Sequence, residues 1–424
     1  MSSSNENKLI PNLRFPEFND TPGWTKNSIE NLVDLQSGFA FQSIYFSENG
    51  KKLLTPKNFT KDGYANFDLK NTKFTIEDCD SKYICNEGDL MLLLTDLTPS
   101  CELLGKPLLL KKNDNEVLLN QRIVRITPKE NSVYTEFLFF FFLTEKFHKR
   151  IKDTATGSTV RHSSNLIISE TSIFIPKEKE QKKIASCLSS LDEVIIAENQ
   201  KLEILQNHKK GLLQNLLPQE GETVPKFRFK KFEDTGDWEE TTLTQIAEYE
   251  NGKAHEQDIA DDGEFIVVNS KFISQDGEVK KFTNTAFCPA TKGDVLMVLS
   301  DIPNGKAIAK CFLVEENNHY TVNQRICRIT PNNLNSKILY YLLNRNPYFL
   351  SFDDGVKQTN LRKEDVLNCP LFIPSDPQEQ EKIATTLSSL DDLINAQNQK
   401  LDSLQFHKKG LLQGLFPNIN EIIE

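Results

Sequence analysis

One stretch of 38 residues occurs twice in this chain, and it restricts the available folds more than any other feature. Residues 181–218, QKKIASCLSSLDEVIIAENQKLEILQNHKKGLLQNLLP, return as residues 380–417, QEKIATTLSSLDDLINAQNQKLDSLQFHKKGLLQGLFP, with 26 of the 38 positions identical. Such self-similarity predicts a duplicated architecture. Apolar residues in the first copy alternate at steps of four and three through Ile184, Leu188, Leu191, Ile195, Leu202, Leu205, Leu212 and Leu216. The second copy does the same through Ile383, Leu387, Leu390, Ile394, Leu401, Leu404, Leu411 and Leu415. This is the 3.5-residue period of a coiled-coil seam, and polar residues interrupt it at Glu198 and Lys209 and again at Gln397 and Lys408. Polar seam positions fix register and partner. Pro218 and Pro417 end the helices. Each helix is a rod of roughly 55 Å, and the simplest partner for its single apolar stripe is the other helix.

At 424 residues the chain should form two domains or more. Its 38% hydrophobic and 26% charged content excludes a disordered protein. The longest apolar run, residues 137–143, is far too short to span a membrane, and the start MSSSNENKLIPNLRF lacks a signal-peptide core. A cytoplasmic protein without a membrane partner is expected. Eight cysteines form no CxxC pair and the six histidines do not cluster with them, so neither a zinc site nor a disulfide framework is predicted. A net charge of −10 argues against a simple polyanion binder. Residues 219–372 are the more acidic globular stretch, with 18 Lys and Arg against 24 Asp and Glu; residues 1–174 have 21 against 22. Nucleic acid would have to be held by local basic patches, or together with a partner that supplies phosphate contacts.

The duplication continues outside the helices. Residues 11–24, PNLRFPEFNDTPGW, match 225–238, PKFRFKKFEDTGDW, and open each repeat. Short helices are expected over 28–35 and 242–247, followed by glycine loops at Gly38 and Gly252 that diverge after the glycine. Strands are predicted over 53–59 and 266–272, and over 88–96 (GDLMLLLTD) and 293–301 (GDVLMVLSD). Gly105-Lys106 and Gly305-Lys306 lack the upstream glycine and the following Ser or Thr of a nucleotide cradle. Residues 120–128, NQRIVRITP, match 323–331, NQRICRITP, as a strand led in by a polar triplet. Apolar helices over 137–143 and 338–343 close each globular unit, and a loop after Gly157 or Gly355 leads to a short strand and the next long helix.

No catalytic motif is present. An adenine methyltransferase needs Asp/Asn-Pro-Pro-aromatic to hold a flipped base, and Asn346-Pro347-Tyr348 lacks the second proline. No Pro-Asp dipeptide precedes an acidic-x-Lys nuclease motif, and the charge run over 177–183 reads as a solvated helix face.

The order of these parts resembles the specificity (S) subunit of type I restriction-modification enzymes. The resemblance rests on the exits Phe174-Ile175-Pro176 and Phe372-Ile373-Pro374, on the EQxxIAxxL starts at 180–188 and 379–387, and on the duplicated HKKGLLQ ends. It implies an α+β fold with two target recognition domains in tandem, residues 1–174 and 219–372. A central spacer helix over 175–218 and a C-terminal one over 373–424 would pack as an antiparallel coiled coil with a pseudo-two-fold internal repeat. It further implies a non-catalytic subunit that reads a split double-stranded DNA target and docks two methyltransferase (M) subunits, with restriction (R) subunits joining. No cofactor is expected in this chain; S-adenosylmethionine would belong to the M subunits, ATP and Mg to the R subunits. A coiled-coil scaffold that does not touch DNA, or a stand-alone DNA-modifying enzyme, are the other readings.

Residues shared by both units cannot tell two different half-sites apart, so they should hold phosphates, dock partners or build the scaffold, while divergent ones read bases. Gln121, Arg122, Gln324 and Arg325 are accordingly candidates for backbone positioning, or simply ties between strand ends. Ser158, Thr159 and Arg161 in one loop, and Lys357, Gln358, Thr359 and Asn360 in the other, are candidates for base contact, or solvated loop. Lys57 and Asn58, with Asn269, Ser270 and Lys271, sit at strand ends from which a reading loop could project.

Overall fold

The computed structural model describes residues 8–96, 100–112, 114, 116–157, 160–219, 221–303 and 305–417. They fall into two compact units, the first drawn from residues 1–198 and 400–424, the second from 199–399. Two 39-residue helices, Glu178–Leu216 (α1) and Pro377–Leu415 (α2), each contribute residues to both units.

Each unit is built on the same pair of sheets. In the first, an antiparallel four-stranded sheet has the order Pro107–Leu109, Leu90–Leu93, Ile123–Pro128, Val33–Ser37. A five-stranded sheet has the order Phe46–Ser47, Lys73–Thr75, Lys51–Leu54, Val117–Leu119, Ile84–Cys85, with one parallel pair between Lys51–Leu54 and Val117–Leu119. The second unit repeats both orders, as Cys311–Leu313, Val295–Val298, Ile326–Pro331, Ala247–Asn251, and as Ile259–Ala260, Phe282–Thr283, Phe265–Val268, Tyr320–Val322, Pro289–Ala290. Leu90–Leu93 and Val295–Val298 are buried at every residue, which is why they read as unbroken apolar runs. The aromatic helix Thr135–Leu143 buries Phe137 through Leu143, as its composition predicts.

Two expectations change. The short helices are confined to Ile29–Leu32 and Leu243–Ile246, because the residues after them, Val33–Ser37 and Ala247–Asn251, are drawn into strands against Ile123–Pro128 and Ile326–Pro331. The strands expected over 53–59 and 266–272 stop at Leu54 and Val268. Side chains there favour a turn: Thr55 and Asn58 close a 3-10 helix at Pro56–Asn58, and Asn269 caps a helix at Ser270–Ser274 by accepting from Phe272 N.

The charged start of the long helices is not a solvated face throughout. Glu180 is 2% exposed, and accepts from Arg14 Nε at 2.8 Å, Arg14 Nη2 at 2.7 Å and Trp24 Nε1 at 3.1 Å. Glu379 accepts from Arg228 Nε at 2.8 Å, Arg228 Nη2 at 2.7 Å and Trp238 Nε1 at 3.4 Å. The neighbouring glutamines are buried too, Gln181 donating to Pro176 O and accepting from Tyr134 N, Gln380 donating to Pro374 O and accepting from Asn335 N. The repeated Arg, Trp and Glu-Gln positions therefore form one clamp per unit, locking the opening segment to the start of a long helix.

The far ends of the helices complete the cores. In the first unit Leu411, Leu412, Leu415 and Phe416 pack with Trp24, Phe137, Phe141 and Leu188, and Leu13 N donates to Gly414 O at 2.8 Å. In the second unit Leu212, Leu213, Leu216 and Leu217 take this place, and Phe227 N donates to Asn215 O at 2.8 Å. The seam lysines meet carboxylates of the other helix: Lys408 Nζ is 2.5 Å from Asp192 Oδ1 in the first unit, and Lys209 pairs with Asp391 in the second. Each aspartate also accepts from a tyrosine hydroxyl, Tyr64 at 2.8 Å and Tyr341 at 2.6 Å. Burial, with the adjacent carboxylate, raises both phenols well above their ordinary range and keeps them donors.

Candidate nucleic-acid interface

The polar triplet before the central strand is a tight turn in both units, closed by Ile123 N donating to Asn120 O at 3.0 Å and Ile326 N to Asn323 O at 2.9 Å. Gln121, Arg122, Gln324 and Arg325 stand exposed on these turns. The glycine loop docks on one side. Gly38 N donates to Ile123 O at 3.1 Å and Phe39 N to Leu119 O at 2.9 Å; Gly252 N donates to Ile326 O and Lys253 N to Val322 O, both at 2.9 Å. A Cβ at Gly38 would lie 2.1 Å from Asn120 O, and one at Gly252 2.1 Å from Asn323 O, so close backbone approach requires glycine.

One residue links the turn to the divergent loop. Leu94 N donates to Arg122 O and Leu94 O accepts from Ser163 N, both at 2.9 Å. Leu299 N donates to Arg325 O at 2.9 Å and Leu299 O accepts from Leu361 N at 2.8 Å. Each unit thus gathers a shared Asn-Gln-Arg turn between two loops that differ from those of the other unit.

Arg161 lies in the strand Arg161–His162, paired with Thr95–Asp96, and its Nη1 donates to Ala155 O at 3.4 Å. Ser158 and Thr159 lie outside the described residues. Lys357, Gln358 and Asn360 are exposed; Gln358 Nε2 donates to Ser300 Oγ at 2.7 Å. The amides of Lys357 and Val356 donate to the Asp354 carboxylate and hold it below its usual range. Thr359 does not fit a DNA-facing role, since it is 5% exposed and its hydroxyl donates to Asp353 Oδ1 at 3.0 Å.

Asn58 is likewise withdrawn from the surface. It is 0% exposed, accepts from Thr55 N and Thr55 Oγ1, and donates to Asn66 O and Asn71 O. Asn58→Ala leaves those groups unpaired and should cost about 1–3 kcal/mol, read as a lower denaturation midpoint. Lys57 beside it is exposed.

In the second unit the structure brings two candidate groups together, as Asn269, Ser270 and Lys271 face Gln324 and Arg325 around an open depression of about 470 Å³. Glu256 and Lys281 also line it. Neither belongs to a motif in the sequence, and only the fold places them in one depression with the shared turn. Lys57, Arg122, Lys271 and Arg325 have no side-chain partner among the described residues, so their charges are available to phosphates.

The Gly-Lys loop of the second unit is filled by protein, since Asp301 Oδ2 accepts from Ala307 N at 2.6 Å and Ile308 N at 3.1 Å. Asn346 is a helix cap, accepting from Tyr348 N at 2.9 Å. Among the described residues no group of His, Cys, Asp or Glu is placed to hold a metal ion, and no helix is long and apolar enough to cross a membrane.

Two stretches, residues 22–207 and 235–405, match the family described as the type I restriction modification DNA specificity domain. The chain is 25% identical over 380 residues to the type I restriction enzyme MjaVIII specificity subunit of Methanocaldococcus jannaschii, covering 84% of this chain and 82% of that one. A crystal structure of a type I restriction-modification S subunit from M. genitalium shares the fold with a TM-score of 0.63 at 18% identity, over 97% of this chain and 100% of the other. A chain from a structure of type I R-M complex assembly superposes with a TM-score of 0.54 at 13% identity, over 94% and 98%. The chain belongs to the type I restriction-modification DNA specificity family. It is a specificity subunit with two tandem recognition domains, and its role is DNA recognition and not catalysis.

Proposed function

We propose that each unit reads one half of a split, asymmetric double-stranded DNA target, and that α1 and α2 pair as an antiparallel coiled coil whose length sets the gap. The helices dock two methyltransferase (M) subunits, and restriction (R) subunits join that complex in the cytoplasm. S-adenosylmethionine is then the cofactor of the M subunits, ATP and Mg those of the R subunits, and this chain carries none. The observation that carries the reading is the shared Asn-Gln-Arg turn held between loops that differ from one unit to the other. Shared exposed cations suit the phosphate backbone, which is alike everywhere, and divergent neighbours suit two different half-sites. The Lys408–Asp192 and Lys209–Asp391 pairs support the pairing of the helices.

Co-expression with the neighbouring methyltransferase subunit, followed by mapping of methylated adenines, tests this; a split motif is expected, and a continuous one would overturn it. Four residues added to both helices lengthen the rod by about 6 Å, nearly two base pairs. That insertion should widen the gap and leave both half-sites as they were. A target unchanged by exchange of the loop over residues 156–165 would favour a scaffold instead.

A further inference from the structure

In the second unit Glu256 decides which way the shared glutamine faces. A carboxylate only accepts, so the ends of the side-chain amides turned toward it are their NH2 groups. Gln324 Nε2 donates to Glu256 Oε1 at 3.2 Å, and Asn323 Nδ2 to the same oxygen at 3.5 Å. Gln324 Oε1 has no partner among the described residues and, by the geometry of an amide, points away from Glu256. Its own backbone amide, with Asn323 and Gln324, holds the Glu256 carboxyl below its usual range, so the arrangement persists at neutral pH.

The backbone beneath Glu256 is fixed. His255 is fully buried, with Nδ1 2.7 Å from Lys253 O and Nε2 3.0 Å from Thr321 Oγ1, and its ring centroid is 5.2 Å from that of Phe287. The first unit has Phe41 and Gln42 at the matching positions, and among the described residues no hydrogen bond constrains the Gln121 side-chain amide there. Glu256 lines the same depression as Lys271, Lys281 and Arg325, so cations that suit phosphates surround a carboxylate that suits a donor. The same depression contains Ser270, whose Oγ is buried and lacks a hydrogen-bond partner.

We infer that Glu256 is a specificity-determining residue of the second half-site. Together with Gln324 Oε1 it offers acceptors to one base edge, and selects a base with an exocyclic amine in the major groove, cytosine N4 or adenine N6, over guanine O6 or thymine O4. A glutamine common to both units thereby acquires a different meaning in each. The inference rests on the split-target reading.

The test uses the full chain in complex with its methyltransferase partner, on duplex pools randomised in the second half-site, with binding and adenine methylation both read. Wild type should prefer cytosine or adenine at one position of that half-site. E256Q should reduce this preference about tenfold, because a glutamine amide donates as well as accepts and no longer fixes which end of the Gln324 amide faces it, while the first half-site and the gap stay fixed. E256D, which keeps the carboxylate, should retain part of the preference and serves as the readout if E256Q folds poorly. A wild-type base profile in E256Q, or an equal loss of affinity for every sequence, would overturn the inference and leave split recognition standing. A wild-type complex that yields no split motif would instead remove the reading beneath it.

Discussion

Glu180→Ala should lower the stability of the first unit by about 3–5 kcal/mol. The Arg14 and Glu180 side chains are 5% and 3% exposed; removing the carboxylate leaves the guanidinium without its counter-charge, held only by Thr21 and Pro22, and the Trp24 indole N–H without an acceptor. Coulomb attraction at such a site only offsets the cost of desolvating both charges, whereas loss of one partner leaves that cost unbalanced. The chain has two tryptophans, Trp24 in one clamp and Trp238 in the other, so each unit carries its own fluorescent reporter. In a Trp238→Phe background the urea midpoint reported by Trp24 should fall sharply with Glu180→Ala. In a Trp24→Phe background, the Trp238 midpoint should stay in place. The double variant R14M/E180L should recover part of the loss, since an apolar pair of similar volume removes the unpaired charge while the Trp24 N–H still lacks its acceptor. An unmoved Trp24 transition in Glu180→Ala would show that the clamp contributes nothing.

The repeat made much of this architecture legible before any coordinates. A 3.5-residue period leaves little choice but a long helix, and the matched triplets Asn120-Gln121-Arg122 and Asn323-Gln324-Arg325 did lead into strands. Other features were misread because they depend on partners distant in sequence. Glu180 looks like an ordinary acidic helix start until Arg14, 166 positions away, is placed beside it. Asn58 and Lys57 look alike as polar residues at a strand end, yet only tertiary closure over Asn66 and Asn71 separates the buried one from the exposed one. A usable signal for the clamp did exist, because Arg14, Trp24 and Glu180 all recur in the second repeat as Arg228, Trp238 and Glu379. Polar residues kept at both ends of a repeat are good candidates for each other. Glu256 offered no such signal, since it stands where the repeats disagree and its meaning comes from the shared turn it touches.

Removal of residues 411–424 should unfold the first unit while the second keeps a cooperative transition. Sequence order suggests the reverse, because the deleted stretch follows the second unit directly. In the fold, however, Leu411, Leu412, Leu415 and Phe416 belong to the core of the first unit, and Leu216 and Leu217 do the same for the second. The Phe416 ring sits 5.2 Å from Phe137, 6.2 Å from Trp24 and 6.3 Å from Phe141, centroid to centroid. Phe416→Ala alone opens a cavity among these rings and should cost about 3–5 kcal/mol. Deletion also removes the acceptors of Leu13 N and Lys146 Nζ, at Gly414 O and Pro417 O, so the opening segment loses its seat as well as its apolar cover. Trp24 emission should shift to the red in the truncated chain at zero denaturant, and Trp238 emission should hold its buried position. Retention of the Trp24 transition after truncation would mean that the first unit closes its core without the end of α2, and would remove the physical reason for the duplicated HKKGLLQ segment at that position.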